Sequence, residues 1–571
     1  MPATPRKTRP GKTAPAARPA GFWESRVEPM LARGSLPAAL LLAAIACARI
    51  VSTYPELSIT SDEPAHFACG LEYLSQHVYK LEPQHPPLAR AMTALGAYME
   101  GLRPVRGIDF TDVAYNVLAG SGNALHYIFL MRLGILPFFL LGCAVVYFWT
   151  ARTFGKAAAL LAVAIFTLQP VVLAHAGLAT TDMALASCTG LAFVAIVAWA
   201  ASPTWPRCLM MSLAASLAVL SKFSALGYVP AAAVFAALIY MVAERPGWTI
   251  LRQLALRRLP GLAAAIALTA FTIWAAYWFS FGAVPGWTIR LPAPEFFDGV
   301  RFAAHHSSRG HPCYLLGQYG ATGWWYFFPV ALSVKTPIAA LALMLAGLVA
   351  LRRRRGALPW MPAAFALGIL LPAMTSHVNI GTRHVLPVYI SFSIWGALGI
   401  LHLGRAFRGP ALAIGAPAVL LVWMAVSGAR QHPDYLAYFN EFAGSEPDRV
   451  LVDSDLDWGQ EVVRLSRRLH ELHADHVSVL FLQASRYLDF YRKVYGLPPI
   501  QPFNPQIPNA GWNAVSPTVL HQAAAGGRPD QDFEVKTGEF TIRSPWYERL
   551  PATARAGALF LYDIPPNYVP R

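Results

Sequence analysis

Long apolar stretches separated by short polar segments run through most of the chain. A helix that spans a membrane needs about 20 mostly apolar residues, and we identify eleven segments of roughly this kind. They lie near residues 35–53, 129–150, 157–175, 183–201, 207–221, 224–243, 259–281, 328–350, 358–375, 384–404 and 410–428. The pattern predicts a polytopic α-helical membrane protein with about 11 transmembrane helices.

The first apolar stretch, 35–53, has two interpretations. A basic leader precedes it and small residues surround Cys47 near its end, features that are also typical of a cleaved signal peptide. We favour a membrane anchor, because the segment continues through Val51. The topology of the later segments is the same in either case.

Basic residues occur in every second loop between these segments. They are Arg152, Lys156, Arg207, Arg245, Arg252, Arg257, Arg258, Arg352, Arg353, Arg354, Arg355, Arg405 and Arg408, besides the basic N-terminus. Because Lys and Arg are enriched in cytoplasmic loops, we expect these loops and the N-terminus in the cytoplasm and the C-terminus outside. The high Ala, Arg and Pro content favours a bacterial inner (cytoplasmic) membrane, with the C-terminus in the periplasm.

This topology divides the chain into three regions. We expect 1–34 to be a disordered basic cytoplasmic segment, 35–428 a transmembrane domain and 429–571 a soluble extracytoplasmic domain. The outer side also receives two long loops and a short turn, which are 54–128, 282–327 and 175–182. Polar, aromatic and acidic residues concentrate in these pieces, so we expect the chemistry at the outer membrane face.

Strand-like and helix-like segments alternate in the last region. They are Val450–Val452, Glu461–Leu472, Val477–Leu482, Tyr487–Tyr495 and Ala558–Tyr562, of which the second and fourth are predicted helices. Alternation of this kind indicates a C-terminal α/β domain with a partly parallel sheet.

The composition excludes several classes of protein. Of the 571 residues 55% are hydrophobic and 13% charged, and the mean hydropathy is +0.41, whereas a soluble domain carries about 25% charged residues. The net charge of +15 lies in short loops between apolar segments, so it indicates membrane orientation rather than a nucleic-acid partner. Six cysteines form no CxxC pair, and the sequence leaves open whether Cys69 and Cys313 pair.

Two acidic sites stand at the outer ends of apolar segments. Asp62 and Glu63 follow the first segment, and one of them is a candidate general base because apolar surroundings raise a carboxyl pKa. Alternatively, Ser61 caps a helix whose first turn contains both acids. Asp182 also begins an apolar segment, either as a first-turn acid or as a second carboxylate in the same cleft.

Three cations occupy comparable positions, namely Lys222, Lys335 and Arg383. Lys335 lies about two turns inside an apolar segment, where a lone ammonium is costly. Two or three such cations near one interface suit a phosphate. Snorkelling to the interface is the alternative for each residue taken singly.

The remaining motifs are less specific. Trp324 and Trp325 fit an interfacial aromatic belt, although aromatic residues that stack on a sugar would have the same pattern. The acidic segment 453–459 fails the EF-hand template. No HExxH or similar spacing occurs, so we assign no metal ligand, and the sequence leaves the participation of a divalent metal open.

Taken together, these motifs resemble the GT-C superfamily of glycosyltransferases, and more closely its bacterial family 39. This family is related to protein O-mannosyltransferases and lipid A aminoarabinose transferases. The resemblance covers roughly residues 35–500. Its elements are Asp62-Glu63, His85-Pro86-Pro87-Leu88, Thr181-Asp182, Ser221-Lys222-Phe223-Ser224, Gly323-Trp324-Trp325-Tyr326, Val334-Lys335-Thr336-Pro337, Gly381-Thr382-Arg383-His384, His432 to Asn440 and Asp453 to Gln460.

The resemblance implies a function and a site. The enzyme would transfer a monosaccharide, with inversion, from a polyprenyl-phosphate donor to a hydroxyl of a protein, lipid or glycan. The implied catalytic residues are Asp62, Glu63 and Asp182, the donor phosphate-binding residues are Arg383, Lys335 and Lys222, and the cavity residues are His85, His175, Trp324, Trp325 and His384. The lipid A transferases have a lysine where this chain has His85, which leaves the phosphate contact of that loop open. A polytopic transporter or flippase of an anionic or lipid-linked solute is the alternative.

Overall fold

The computed structural model describes residues 21–481, 487–524 and 546–568. Helices dominate up to residue 430. In chain order they are α1 (Glu28–Arg33), α2 (Ser35–Val51), α3 (Glu63–Gln76), α4 (Pro87–Met99), α5 (Phe110–Gly120), α6 (Ala124–Leu133), α7 (Leu136–Phe154), α8 (Lys156–Leu168), α9 (Pro170–Ala176), α10 (Asp182–Ala201), α11 (Trp205–Ser221), α12 (Ala225–Glu244), α13 (Trp248–Ala276), α14 (Pro294–Arg309), α15 (Phe327–Lys335), α16 (Ile338–Leu351), α17 (Met361–Met374), α18 (Val388–Ala406) and α19 (Pro410–Arg430).

The later part of the chain is mixed. Its helices are α20 (Val462–Glu471), α21 (Leu488–Tyr495), α22 (Pro517–Ala524) and α23 (Trp546–Arg549). The strands of the described residues are β1 (Phe281–Ala283), β2 (Arg290–Pro292), β3 (Cys313–Leu315), β4 (Gln318–Gly320), β5 (Val477–Leu480), β6 (Ile500–Gln501), β7 (Gly511–Val515), β8 (Ala554–Ala556) and β9 (Leu559–Ile564).

Each apolar segment predicted from the sequence coincides with a helix or a pair of helices. Within the described residues, six helices are long and apolar enough to cross a membrane, or up to eight if each of two bent pairs is one span. The bent pairs are α8–α9, with an angle of 69°, and α15–α16, with an angle of 113°. The polytopic helical fold is therefore confirmed, whereas the number eleven stays a prediction.

The bend between α15 and α16 places α16 against α18 in very close contact. A Cβ atom on Gly347 would lie 1.8 Å from the carbonyl oxygen of Trp395, and one on Gly399 would lie 2.0 Å from that of Leu343. Small residues allow helix backbones to approach in this way. The close packing joins the helix that follows Lys335 to the helix that follows Arg383.

The N-terminal prediction needs a correction. Part of the expected disordered segment, residues 1–20, lies outside the described residues, but Trp23–Val27 and α1 are helical. Two contacts with α18 explain the order. The Trp23 ring packs against Gly404, and Glu28 forms an ion pair with Arg405 at 2.6 Å.

The two predicted outer loops contain secondary structure of their own. Residues 54–128 include α3, α4, α5 and the start of α6, and residues 282–327 include α14 and the β3–β4 hairpin. In the first loop, α3 packs closely against α4. A Cβ on Gly70 of α3 would lie only 2.0 Å from the Arg90 carbonyl oxygen of α4. Cys69 and Cys313, one in each loop, are both free.

The C-terminal region contains a five-stranded sheet with the order β6-β5-β7-β9-β8. β5 pairs in parallel with β6 and β7, and β9 pairs in antiparallel with β7 and β8, so the sheet is partly parallel as predicted. The predicted strand Val450–Val452 is wrong. Val452 packs instead beside Tyr314 and Leu456, and it leads into a 3₁₀ turn at Asp453–Asp455. Leu482, the predicted end of the next strand, lies outside the described residues.

Candidate functional site

Asp62 stands immediately before α3, at the point where the chain enters the first outer loop. It occupies the capping position, one residue later than the predicted cap Ser61, but its carboxylate makes no capping hydrogen bond. Instead it accepts a hydrogen bond from an Arg383 guanidinium nitrogen at 2.7 Å. Desolvation raises the pKa of Asp62, but Arg383 more than offsets this, so the pKa lies below its ordinary value.

Asp182 is the first residue of α10 and is fully buried. One carboxylate oxygen accepts a hydrogen bond from the Lys222 ammonium at 2.6 Å. The other lies 3.9 Å from the same Arg383 nitrogen that contacts Asp62. Four residues from four separate segments, Asp62, Asp182, Lys222 and Arg383, therefore form one charged cluster.

The C-terminal region holds Arg383 in place. The guanidinium carbon lies 4.0 Å from the centroid of the Trp458 ring, a cation–π contact. The Asp455 carboxylate accepts hydrogen bonds from the backbone and the hydroxyl of Thr382, the neighbour of Arg383. Sequence analysis assigned neither Trp458 nor Asp455 to the site. Both lie within the acidic segment 453–459, which the sequence analysis noted as acidic and as one element of the family resemblance.

Several buried polar atoms in this region have no hydrogen-bond partner among the residues that the structure describes. They are Nδ1 of His85, Nδ1 of His175, the hydroxyl of Thr180, Oδ2 of Asp182, Nε of Arg383 and Nε2 of His384. A buried polar group without a partner costs about 1–3 kcal/mol. Such a concentration around one arginine suits a polar ligand with many acceptor and donor groups.

Two neutral histidines line the side of the cluster next to α4. The rings of His66 and His85 meet edge to face with centroids 5.3 Å apart. Nδ1 of His66 accepts a hydrogen bond from Arg90 at 3.1 Å, which places its proton on Nε2. Burial, reinforced by Arg90, lowers the pKa of His66 to about 3 and holds the pKa of His85 well below its ordinary value. The sequence analysis selected neither His66 nor Arg90.

Asp453 brings a third carboxylate from the C-terminal region to this cluster. Its backbone is left-handed, with φ of 59°, and Oδ1 accepts a hydrogen bond from the Ser454 backbone at 2.6 Å. Burial raises the pKa of Asp453 to about 6; the charge of Asp62 adds to the rise, and Arg383 opposes it. Asp453 is thus a carboxylate near Arg383 whose charge changes at about pH 6.

Glu63 does not have the catalytic position expected for it. Its side chain is fully buried, and Oε1 accepts hydrogen bonds from Arg132 at 2.9 Å and from the Ala179 backbone at 2.8 Å. Oε2 accepts from Arg132 at 2.9 Å and from the Thr60 backbone at 2.8 Å. With both oxygens occupied, Glu63 ties the loop of Asp62 to the turn that precedes Asp182. These contacts suit a residue that positions Asp62.

Lys335 also differs from its predicted role. Its ammonium is buried and donates hydrogen bonds to the carbonyl oxygens of Leu436 at 2.7 Å and Asp455 at 2.5 Å. It also lies 4.2 Å from the centroid of the Phe439 ring. These contacts with the C-terminal region offset the cost of burying the charge. Lys335 anchors that region to the bend between α15 and α16.

The predicted cavity residues divide into two groups. His85, His175 and His384 contribute unpartnered nitrogens to the cluster. Trp324 is half-buried, with its backbone bonded to the Asn379 side chain at 2.6 Å, and Trp325 is 68% exposed. Neither tryptophan makes a hydrogen bond, ring or cation–π contact with Asp62, Asp182 or Arg383 within the described residues. No group of three or more His, Cys, Asp or Glu side chains suited to a metal ion occurs there either.

The chain is similar in sequence to one protein family and in fold to several solved membrane proteins. Residues 39–292 match the family model described as dolichyl-phosphate-mannose-protein mannosyltransferase. No curated protein matches the chain. A solved structure of ArnT from Cupriavidus metallidurans bound to undecaprenyl phosphate is similar at 13% identity with a TM-score of 0.48, covering 91% of this chain and 97% of that one. The archaeal oligosaccharyltransferase AglB from Archaeoglobus fulgidus, in complex with an inhibitory peptide and a dolichol-phosphate, is similar at 13% identity with a TM-score of 0.43, covering 89% and 72%.

Proposed function

We propose that this chain is a glycosyltransferase of the GT-C superfamily that transfers a monosaccharide from a polyprenyl-phosphate donor to an acceptor hydroxyl. The family model that matches residues 39–292 is named for a transfer from a dolichyl-phosphate sugar. The observation that carries the proposal is the contact of two carboxylates, Asp62 and Asp182, with one nitrogen of Arg383. This arrangement combines a base and a phosphate ligand in one place.

Arg383 is the proposed ligand of the donor phosphate. Its Nε has no partner, and its planar guanidinium suits two phosphate oxygens at once. Lys222, held by Asp182, adds a second positive charge. Both charges stabilise the polyprenyl phosphate as it leaves.

Asp62 is the proposed general base. In the structure its carboxylate is held by Arg383. When the donor phosphate takes over the guanidinium, Asp62 loses that partner and its pKa rises, so it becomes a better proton acceptor. The acceptor hydroxyl gives its proton to Asp62 while its oxygen bonds to the anomeric carbon, and the bond from that carbon to the phosphate oxygen breaks.

One displacement of this kind inverts the anomeric centre and needs no second nucleophile. The leaving phosphate is stable as an anion, so the mechanism requires no general acid. Asp182 is fully buried and paired with Lys222, which suits a residue that orients the cations. We place the reaction at the outer face of the bacterial inner membrane, with the N-terminus in the cytoplasm, from the distribution of Lys and Arg among the loops.

A transfer assay tests the proposal. Purified protein in vesicles is given undecaprenyl-phosphate mannose or undecaprenyl-phosphate aminoarabinose, with lipid A and a serine-rich peptide as acceptors, and released undecaprenyl phosphate is measured. We expect release with one donor and an inverted anomeric configuration in the product. Loss of the base in Asp62→Asn should slow turnover by about 10²–10⁴-fold, whereas Asp298→Asn in the second outer loop should not change it.

Two results would overturn the proposal. Near-normal turnover in Asp62→Asn removes the base. Movement of a labelled solute across the vesicle membrane, with no undecaprenyl phosphate released from either donor, identifies a transporter.

A further inference from the structure

A second charged region lies at the opposite end of the helices that follow Lys335 and Arg383. α16 and α18 both begin close to the candidate site and end at Leu351 and Ala406. At about 1.5 Å per residue, the 19 residues of α18 span about 28 Å. This is close to the hydrocarbon thickness of a bilayer, about 30 Å. The far end of α18 therefore lies about one membrane thickness from its first residue, Val388, which follows Arg383 closely in the chain.

A cavity of about 740 Å³ opens between these helix ends. Arg353, Arg354, Arg408, Arg405 and one acid, Glu24, contribute its charged lining, and Leu398, Leu401 and Phe407 contribute apolar lining. The first two arginines follow α16, whereas Arg408 lies in the loop between α18 and α19. Two separate loops thus direct guanidinium-bearing residues to one partly apolar cavity.

The positive charge of the cavity is not neutralised by the described residues. Arg405, which also lines it, pairs with Glu28 at 2.6 Å and approaches Glu24 at 3.8 Å. Arg353, Arg354 and Arg408 have no carboxylate within salt-bridge distance in the described part of the chain. A negatively charged ligand would therefore complement the charge of this cavity.

Two simpler explanations account for only part of this arrangement. Arginines favour the carboxyl ends of helices through the helix dipole, and a basic loop fixes membrane orientation. Either effect explains the run Arg352 to Arg355. Neither requires Arg408 to meet that run at a cavity with apolar walls.

We propose that this cavity binds the headgroup of an anionic phospholipid, at the membrane face opposite the glycosyl-transfer site. Basic pockets between membrane helices bind such headgroups, and paired guanidinium groups suit a phosphate diester. The apolar walls receive the glycerol and the first acyl carbons. Residues 1–20 of the same chain are not complementary, because they contain five Lys or Arg residues and no acid.

Lipid titration of the full-length protein tests this proposal. Native mass spectrometry in neutral detergent measures the dissociation constants of phosphatidylglycerol and phosphatidylcholine for wild type, for Arg354→Gln/Arg408→Gln and for the control Arg352→Gln/Arg355→Gln. The control removes the same charge from the same end of the helices without altering cavity-lining residues. At about fivefold per arginine, the cavity variant should bind phosphatidylglycerol about 30-fold more weakly, and the control should resemble wild type.

Four outcomes would overturn the proposal. They are equal affinity for the two lipids in wild type, equal weakening in the cavity variant and the control, displacement of the lipid by 10 mM inorganic phosphate, and a change of oligomeric mass in the cavity variant. The third indicates a free-phosphate site and the fourth an interface between copies. The thermal unfolding midpoint of each variant, measured without lipid, separates lost binding from lost folding.

Discussion

The carboxylate of Asp62 lies 2.7 Å from an Arg383 nitrogen that is also 3.9 Å from Asp182. One guanidinium thus holds two acids that come from different segments of the chain. The contact favours the ionised form of Asp62 and also engages its carboxylate in a hydrogen bond with Arg383. A phosphate that binds Arg383 has to compete with Asp62, which couples donor binding to release of the proposed base.

The pH profile of transfer depends on this contact. Arg383 lowers the pKa of Asp62, so a substitution that removes the charge should raise that pKa. We expect the acidic limb of kcat/KM, which reports the free enzyme, to move to higher pH in Arg383→Gln. The release assay measured from pH 4 to pH 8 checks this. An acidic limb at the wild-type position would show that Asp62 is not the group that titrates.

The buried pair of Glu63 and Arg132 should contribute strongly to stability. Glu63→Gln leaves the Arg132 charge buried without a counter-ion, which costs about 3–5 kcal/mol. Denaturation in detergent measures the loss. The exposed pair of Asp489 and Arg492 provides the control, because water screens its charges and Asp489→Asn should leave stability nearly unchanged. A loss as small as that of the control would contradict the positioning role of Glu63.

The raised pKa of Asp453 predicts that the stability difference between Asp453→Asn and wild type depends on pH. A carboxyl whose pKa rises from 3.8 to about 6 on folding binds more protons in the native state, so its contribution to stability falls as pH rises through that window. Asp453→Asn removes this penalty. The melting temperature of Asp453→Asn relative to wild type should therefore increase between pH 4 and pH 6.5 and stay level above it. A difference that does not change with pH would contradict the raised pKa.

Lys335 and Arg383 should respond differently to loss of charge. Lys335→Met leaves the Leu436 and Asp455 carbonyl oxygens without their donor, at about 1–3 kcal/mol each. We expect a lower melting temperature with less than about a twofold change in affinity for undecaprenyl phosphate, since each tenfold requires about 1.4 kcal/mol of lost contact. A tenfold loss of affinity at an unchanged melting temperature would restore Lys335 as a phosphate ligand.

Apolar periodicity was sufficient to locate the helices. Stretches such as 183–201 and 410–428 match α10 and α19 to within a few residues, because a spanning helix must be apolar along its whole length. The bends at α8–α9 and α15–α16 produce no comparable pattern in the sequence. The same apolar composition suits a straight helix and a broken one.

The site was predictable only as far as charge at a helix end indicates it. Asp62, Asp182, Lys222 and Arg383 all met that criterion, and the structure brings them together. Lys335 was selected because a lone ammonium two turns inside an apolar segment is costly, but its partners are two backbone carbonyl groups that no sequence pattern reports. Trp458 and Asp455 lie far along the chain from Arg383, so only the tertiary fold reveals their contact with that segment.

The most direct test of the central claim is the affinity of the purified protein for undecaprenyl phosphate in wild type, Arg383→Gln and Asp62→Asn. The exposed Arg449→Gln is the matched control for loss of one positive charge. If Arg383 holds the phosphate against competition from Asp62, Arg383→Gln binds at least about tenfold more weakly, while Asp62→Asn binds as tightly as wild type or more tightly. Unchanged affinity in Arg383→Gln, or weaker binding in Asp62→Asn, would contradict the account.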